Sequence, residues 1–323
     1  MRHYLQFKDF SREEYDYLFA RATEIKRLVK SGQLYQPLPG RVLGMIFEKS
    51  STRTRVSFEA GMYQLGGHAM FLNSETTQLG RGEPIEDMAK VMSRMVDIVM
   101  IRTFEQSIVE RFAKESLVPV INGLTNEYHP CQIMADIFTY VERFGSIEGK
   151  TVAWIGDSNN VSRTWLQAAK VFNFKLKLAC PEGYDMVVLD GQEYGPELFE
   201  VFRDPYAAVA SADIVTTDVS VSMGFERETL QRKKDFINYK VTEQLMKAAK
   251  SEAVFMHCLP AHRGEEVDPE VIDGPQSIVW DEAENRMHAQ KAVIEYLLLG
   301  KIEDWDVFHQ SGKTENWDVF NRR

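Results

Sequence analysis

Three short stretches carry residue types that can do chemistry together. The first is Phe47-Glu-Lys-Ser-Ser-Thr-Arg-Thr-Arg-Val-Ser-Phe-Glu59. An apolar run ends there, hydroxyls and arginines follow, and a helical pattern begins. A helix N-terminus offers free N–H groups and the positive end of a dipole, so it binds phosphate. Ser51, Thr52 and Thr54 can add hydroxyl donors, and Arg53 a forked cationic contact. The alternative is that Ser51 or Thr52 only caps the helix and the arginines are solvated. No G-x-x-x-x-G-K is present, so this is not a Walker loop. The second stretch is His129-Pro-Cys-Gln132. His129 and Gln132 are three residues apart at a helix start and can face one ligand, although a lone histidine is more often structural. The third is Phe255-Met-His-Cys-Leu-Pro-Ala261, at the end of a strand-like run. Ligands gather at the carboxyl ends of strands in open α/β sheets. Taken alone, Cys258 is also a plausible core thiol.

The elements that must position these stretches follow from periodicity. Ser11 and Glu14 form an S-x-x-E capping box, and Tyr15, Leu18, Phe19, Ala22, Ile25 and Val29 then recur at helical spacing up to Gly32. Strand-like runs lie at Val42–Phe47, Ala69–Leu72, Asp97–Ile101 and Val118–Ile121, with helical patterns such as Ile85–Met95 and Ile108–Lys114 between them. A long helix is expected over Cys131–Phe144, ending at Gly145. Strands are then expected at Thr151–Ile155, Lys175–Ala179, Ile214–Thr217, Val254–Cys258 and Ile278–Val279, and a last helix over Arg286–Leu299. Such βα repeats predict parallel sheets covered on both faces. A chain of 323 residues exceeds what one core usually organises, so two domains are expected, with a hinge near residues 130–148.

Composition narrows the function. A net charge of −10 argues against a nucleic-acid surface and requires that any anionic substrate be met by local arginines. No run of about 18 apolar residues predicts a transmembrane helix, and Met1–Phe10 has no signal-peptide core. Cys131, Cys180 and Cys258 read as free thiols of a reducing, cytoplasmic compartment, and no Cys/His spacing suggests a zinc site. No metal or cofactor is expected. Lys301–Phe308 recurs closely as Lys313–Phe320, too few copies for a repeat architecture. It reads as a duplicated surface tail, or as a segment whose Trp305, Phe308, Trp317 and Phe320 dock on the body or on a neighbouring subunit.

In this order and spacing, Ser51–Arg55, His129–Gln132 and His257–Pro260 resemble the aspartate/ornithine carbamoyltransferase family over about residues 1 to 300. The resemblance implies two doubly wound parallel-sheet α/β domains joined by long helices. Residues 1–140, with the C-terminal helix of about 286–323 packed back on them, would bind carbamoyl phosphate, and 141–285 the amino acid. It also implies a homotrimer or an assembly of trimers, with sites near subunit boundaries. Ser51, Thr52, Arg53 and Thr54 match the phosphate motif. Gln78, in Thr76–Gly80, matches a glutamine supplied across the subunit interface. Arg102 matches an arginine reaching phosphate and carbonyl, and His129 and Gln132 match carbamoyl ligands. With Thr54, Arg102 and His129 would stabilise the carbonyl oxygen as it gains charge.

The amino-acid side separates two branches of this family. Asp218-Val-Ser-Val-Ser-Met-Gly224 is similar to the D-x-x-x-S-M-G of the ornithine branch. The match implies that Asp218 accepts from an α-ammonium and that Asn160, Ser222 and Met223 surround the same end. Cys258 would lie near the attacking δ-amine, with the Cys258 and Leu259 carbonyls close to the reacting groups and Arg286 on carbamoyl or phosphate. Aspartate enzymes carry another residue in place of this cysteine and lack the S-M-G loop. One departure stands out: Ser220 occupies the position where the family commonly has tryptophan. A nicotinamide-binding Rossmann enzyme is the obvious rival, but Ile155–Asn160 has one glycine where the fingerprint needs three. A relative using an acylated ornithine or putrescine is a closer rival, but Asp218 with the S-M-G stretch favours a free α-amino acid, because an acylated nitrogen has no positive charge to pair with the carboxylate. A non-enzymatic binding module would not need the anion, carbonyl and amine positions filled together.

Overall fold

The computed structural model describes residues 1–73, 82–186, 191, 193–220 and 229–302. Gln78, Ser222, Met223 and the near-repeat from residue 303 onward lie outside them. The first part runs α1 (Arg12–Lys30), β1 (Val42–Phe47), α2 (Thr52–Gln64), β2 (His68–Asn73), α3 (Ile85–Met92), β3 (Ile98–Arg102), α4 (Gln106–Glu115), β4 (Val120–Leu124) and α5 (Pro130–Phe144). Its strands form a parallel sheet in the order β2-β1-β3-β4. The second part runs β5 (Thr151–Ile155), α6 (Asn160–Phe172), β6 (Lys175–Ala179), β7 (Phe199–Phe202), α7 (Pro205–Val209), β8 (Ile214–Thr217), α8 (Thr229–Asp235), α9 (Glu243–Ala248), β9 (Val254–His257), α10 (Pro269–Ile272) and α11 (Val279–Leu299). That sheet is parallel in the order β7-β6-β5-β8-β9. The order in which strands are added reverses between β1 and β3 in one sheet and between β5 and β8 in the other. Such switch points open crevices at the strands' carboxyl ends.

The helix ends follow local chemistry. Ser11 caps α1 by accepting from the Glu14 N–H, and the Glu14 carboxylate accepts in return from the Ser11 N–H. Helix α5 starts on Pro130 and stops at Gly145, whose φ of 82° suits glycine. One apolar core joins the two sheets through helices. Phe19 of α1 stacks at 5.8 Å on both Phe138 of α5 and Phe172 of α6. Helix α11 returns to the first part, where Glu295 pairs with buried Arg21 at 2.6 Å and Lys291 donates to Gln64 at 2.7 Å.

Two expectations need correction. Ile278–Val279 is not a strand: Ile278 caps α11 and Val279 opens it. The apolar pair looks strand-like because the chain briefly runs beside β9, with Phe255 donating to the Gln276 carbonyl and Ile278 to that of Phe255. The last helix therefore starts about two turns before Arg286, and Asp281 and Glu282 in its first turn were the overlooked signal. Edge strand β7 was not anticipated; four residues are too few to show alternation.

Candidate active site

Strand β1 delivers the chain to α2, whose N-cap Ser51 accepts from the Thr54 N–H at 3.3 Å. Thr54 is fully buried, and three segments meet at its hydroxyl. The Ser51 hydroxyl donates to it at 3.1 Å, Arg286 Nη2 of α11 at 2.9 Å, and Arg102 Nη1 from the end of β3 at 3.4 Å. Burial, with Arg286 and Arg53 adding repulsion, pushes Arg102 down to about 9. Burial lowers Arg286 as well, with Arg53 again opposing its charge. Cations held together against both desolvation and one another are stabilised by an anion. Arg53 itself is half-buried on the first turn of α2, and Thr52 is exposed.

His129 caps α5 and its N–H donates to the Thr164 hydroxyl of α6 at 2.9 Å. Burial above all, then Arg286 and Arg102, holds its imidazole well below the usual range, so it is neutral at pH 7. Among the described residues, Arg102 Nε, Arg286 Nε, His129 Nδ1 and Gln132 Oε1 are buried polar atoms without a partner. Each unmet group of this kind costs about 1–3 kcal/mol. Two of them, on Arg102 and Arg286, belong to the arginines that meet at the Thr54 hydroxyl, and both arginines act on His129, which marks a place built for a polar ligand.

The second sheet supplies a different chemistry. At the end of β8, Asp218 Oδ1 accepts from the Cys258 thiol at 3.2 Å, and Oδ2 accepts from Asn159 Nδ2 at 2.7 Å. Burial, then Asp218 and Glu282, pushes the Cys258 thiol well above its ordinary value. It is therefore a neutral hydrogen-bonding group, not a thiolate. The turn after β9 is held by His257, whose Nδ1 accepts from the Leu259 N–H at 2.9 Å. Its remaining N–H, on Nε2, then points to Glu266 Oε1 at 3.2 Å. This turn keeps Leu259 at φ 57°, a conformation costing roughly 1–2 kcal/mol outside glycine. Ligand atoms of Asp218, His257 and Cys258 lie within 4.8 Å of one another. Both His257 nitrogens are already engaged, which argues against metal ligation.

The turn after β5 needs Gly156, whose φ is 138°. Asn160 donates to the Thr125 carbonyl at 2.7 Å and so bridges the two sheets. Asn159, which motif reading passed over, both caps α6 and holds Asp218. Arg232 of α8 donates to Asp157 at 2.7 Å and to the Ser220 carbonyl at 3.3 Å, anchoring the chain where the usual tryptophan is replaced. The structure thus brings together Ser51, Thr54, Arg102, His129 and Arg286 at one end and Asp218 and Cys258 at the other, while the Asn160 amide turns to the Thr125 carbonyl and Asn159 takes its place at Asp218.

The description "aspartate/ornithine carbamoyltransferase, carbamoyl-P binding domain" matches residues 2–142, and "Asp/Orn binding domain" of the same family matches 148–297. The chain belongs to the aspartate/ornithine carbamoyltransferase family. The ornithine carbamoyltransferase of Chromobacterium violaceum is 68% identical over 304 residues, covering 94% of this chain and 99% of that one. That of Nitrosomonas europaea is 63% identical, covering 94% and 98%. Among solved structures, the ornithine carbamoyltransferase of Burkholderia thailandensis superposes with a TM-score of 0.85 at 59% identity, covering 94% of this chain and all of that one. That of Pyrococcus furiosus gives 0.87 at 46% identity, covering 94% and 98%. The two family matches meet at the α5–β5 connection, where the first sheet gives way to the second.

Proposed function

We infer that this chain is a carbamoyltransferase that moves the carbamoyl group of carbamoyl phosphate to the δ-amine of L-ornithine, giving L-citrulline and phosphate in arginine metabolism. The reading rests most on one arrangement: an arginine-lined pocket around Thr54 on one sheet facing a carboxylate–thiol pair, Asp218–Cys258, on the other. In this reading residues 1–140, with the last helix, hold carbamoyl phosphate, and residues 141–285 hold ornithine. Ser51, Thr52, Arg53, Thr54 and Arg286 meet phosphate. Arg102, His129 and Thr54 meet the carbonyl oxygen, where charge develops. Gln132 and the Cys258 and Leu259 carbonyls meet the carbamoyl nitrogen. Asp218, Asn160, Ser222 and Met223 hold the α-amino acid end. The working form is a cytoplasmic homotrimer or an assembly of trimers, with Gln78 donated by a neighbouring subunit.

In the chemical step the neutral δ-nitrogen bonds to the carbamoyl carbon and the carbon–oxygen bond to phosphate breaks. Of the two protons that the ammonium form loses, one leaves to solvent before attack and the other goes to the departing phosphate. A free alkylammonium has a reference pKa near 10.4, so only about one molecule in 2,500 is neutral at pH 7. Orientation by Cys258 and Asp218 raises the productive fraction of encounters. The test is product formation from carbamoyl phosphate with ornithine, acetylornithine, putrescine and aspartate side by side. Citrulline from ornithine alone is expected. Preference for acetylornithine would remove the role of Asp218, because an acylated nitrogen carries no charge.

A further inference from the structure

Gln132 makes an unusual set of contacts. Its amide nitrogen donates to Asp136 Oδ1 at 2.8 Å, one turn along α5, and to Glu282 Oε1 at 2.9 Å in the first turn of α11. All three side chains are buried. The nitrogen must face the two carboxyl groups, because an amide oxygen there would meet acceptors. Both N–H bonds are thereby spent, and the oxygen is the buried Gln132 atom without a partner. Glu282 Oε2 accepts the His257 N–H at 3.0 Å, which ties the same pair to the strand end that carries Cys258. Two buried carboxyls that share a partner cannot both ionise readily. Burial pushes Asp136 up to about 7, and burial together with Asp136 raises Glu282 well above the carboxylate range. Arg286 is the cation that opposes both shifts, and the Cys258 thiol in turn feels both carboxyls.

We propose that Asp136 and Glu282, as paired acceptors of its amide nitrogen, lock Gln132 as an acceptor only, so that the donor pocket selects an acyl phosphate bearing NH2 over one bearing methyl. This rests on the reading of the pocket as the carbamoyl phosphate site. Acetyl phosphate has nearly the shape and charge of carbamoyl phosphate. Its methyl group leaves the fixed carbonyl of Gln132 unpaired, whereas the carbamoyl nitrogen donates to it. One unmet buried acceptor corresponds to roughly 5- to 150-fold in affinity. Asp136 and Glu282 are positioning residues, acting through Gln132.

The experiment compares wild type with Asp136→Asn and Glu282→Gln. It measures the KM of carbamoyl phosphate and competitive inhibition by acetyl phosphate and by inorganic phosphate. Each variant presents an N–H2 that lets the Gln132 amide turn round. The preference for carbamoyl over acetyl phosphate should fall at least about tenfold, with phosphate inhibition within about twofold of wild type. Unchanged preference in folded variants, or parallel weakening of all three ligands, overturns the proposal. If neither variant folds, wild type alone decides: carbamoyl phosphate should bind at least about fivefold more tightly than acetyl phosphate, and a smaller preference overturns the proposal. A wild type that makes no citrulline defeats the underlying reading instead.

Discussion

Replacing Thr54 with valine tests the donor pocket most directly. The side chain is buried and its hydroxyl accepts from Arg286 at 2.9 Å and from Arg102 at 3.4 Å. Valine keeps the branched shape and removes only the polar atom that these segments share. The Arg102 contact is long and counts for little. One hydrogen bond to a charged group is worth about 1.5–3 kcal/mol. At about 1.36 kcal/mol per factor of ten, kcat/KM for carbamoyl phosphate should fall roughly 10- to 150-fold. The measurement is initial-rate citrulline formation with varied carbamoyl phosphate at saturating ornithine, alongside thermal unfolding. The KM for ornithine should change far less, since Asp218 and Cys258 hang from the other sheet. If Thr54→Val folds and keeps kcat/KM for carbamoyl phosphate within about twofold of wild type, the meeting of three segments at this hydroxyl has no part in donor binding.

Cys258 should take up no label when enzyme is incubated with labelled carbamoyl phosphate alone, because burial, Asp218 and Glu282 keep the thiol protonated and the thiolate is the nucleophile; a kinetically competent thioester seen by mass spectrometry would reassign the mechanism. His129 has a folded-state pKa below its unfolded value near 6.5, so the fold refuses a proton that the unfolded chain accepts, and stability drops as pH falls through about 6.5. Melting temperatures taken between about pH 7.5 and 5.5 should fall more steeply for wild type than for His129→Asn, and equal slopes would remove this contribution. Mixing Gln78→Ala with Arg53→Ala should regenerate some activity in hybrid trimers, and no recovery after demonstrated subunit exchange would count against shared sites.

Much of the scaffold was legible because its signals are local. Strands β1, β5, β6 and β8 lie where their apolar runs predicted, and the Ser11 capping box and Gly145 stop fall as read. Strand β7 and the true start of α11 were missed because a four-residue edge strand shows no period and a passing contact with β9 mimicked a strand. Thr54, Arg102, His129 and Arg286 were recognisable by motif. The convergence of Arg102 and Arg286 on one hydroxyl was not, since 48 and 232 residues separate them from Thr54. Asn159 was hidden by its neighbour Asn160: only geometry tells which amide reaches Asp218. Asp136 and Glu282 belong to none of the motifs read from the sequence, and it is burial that sets them apart.

The place of Arg286 in the chain has a consequence for synthesis. A ribosome releases Ser51 through Gln132 early, yet the guanidinium that completes their pocket lies on the last helix. Until that helix emerges, the faces of α1, α2 and α5 against which it packs stay uncovered. An incomplete nascent chain can thus present a parallel sheet with its anion site unfinished. Premature termination before residue 279 would leave a product without the Arg286 guanidinium beside Thr54 and without the cover over its core.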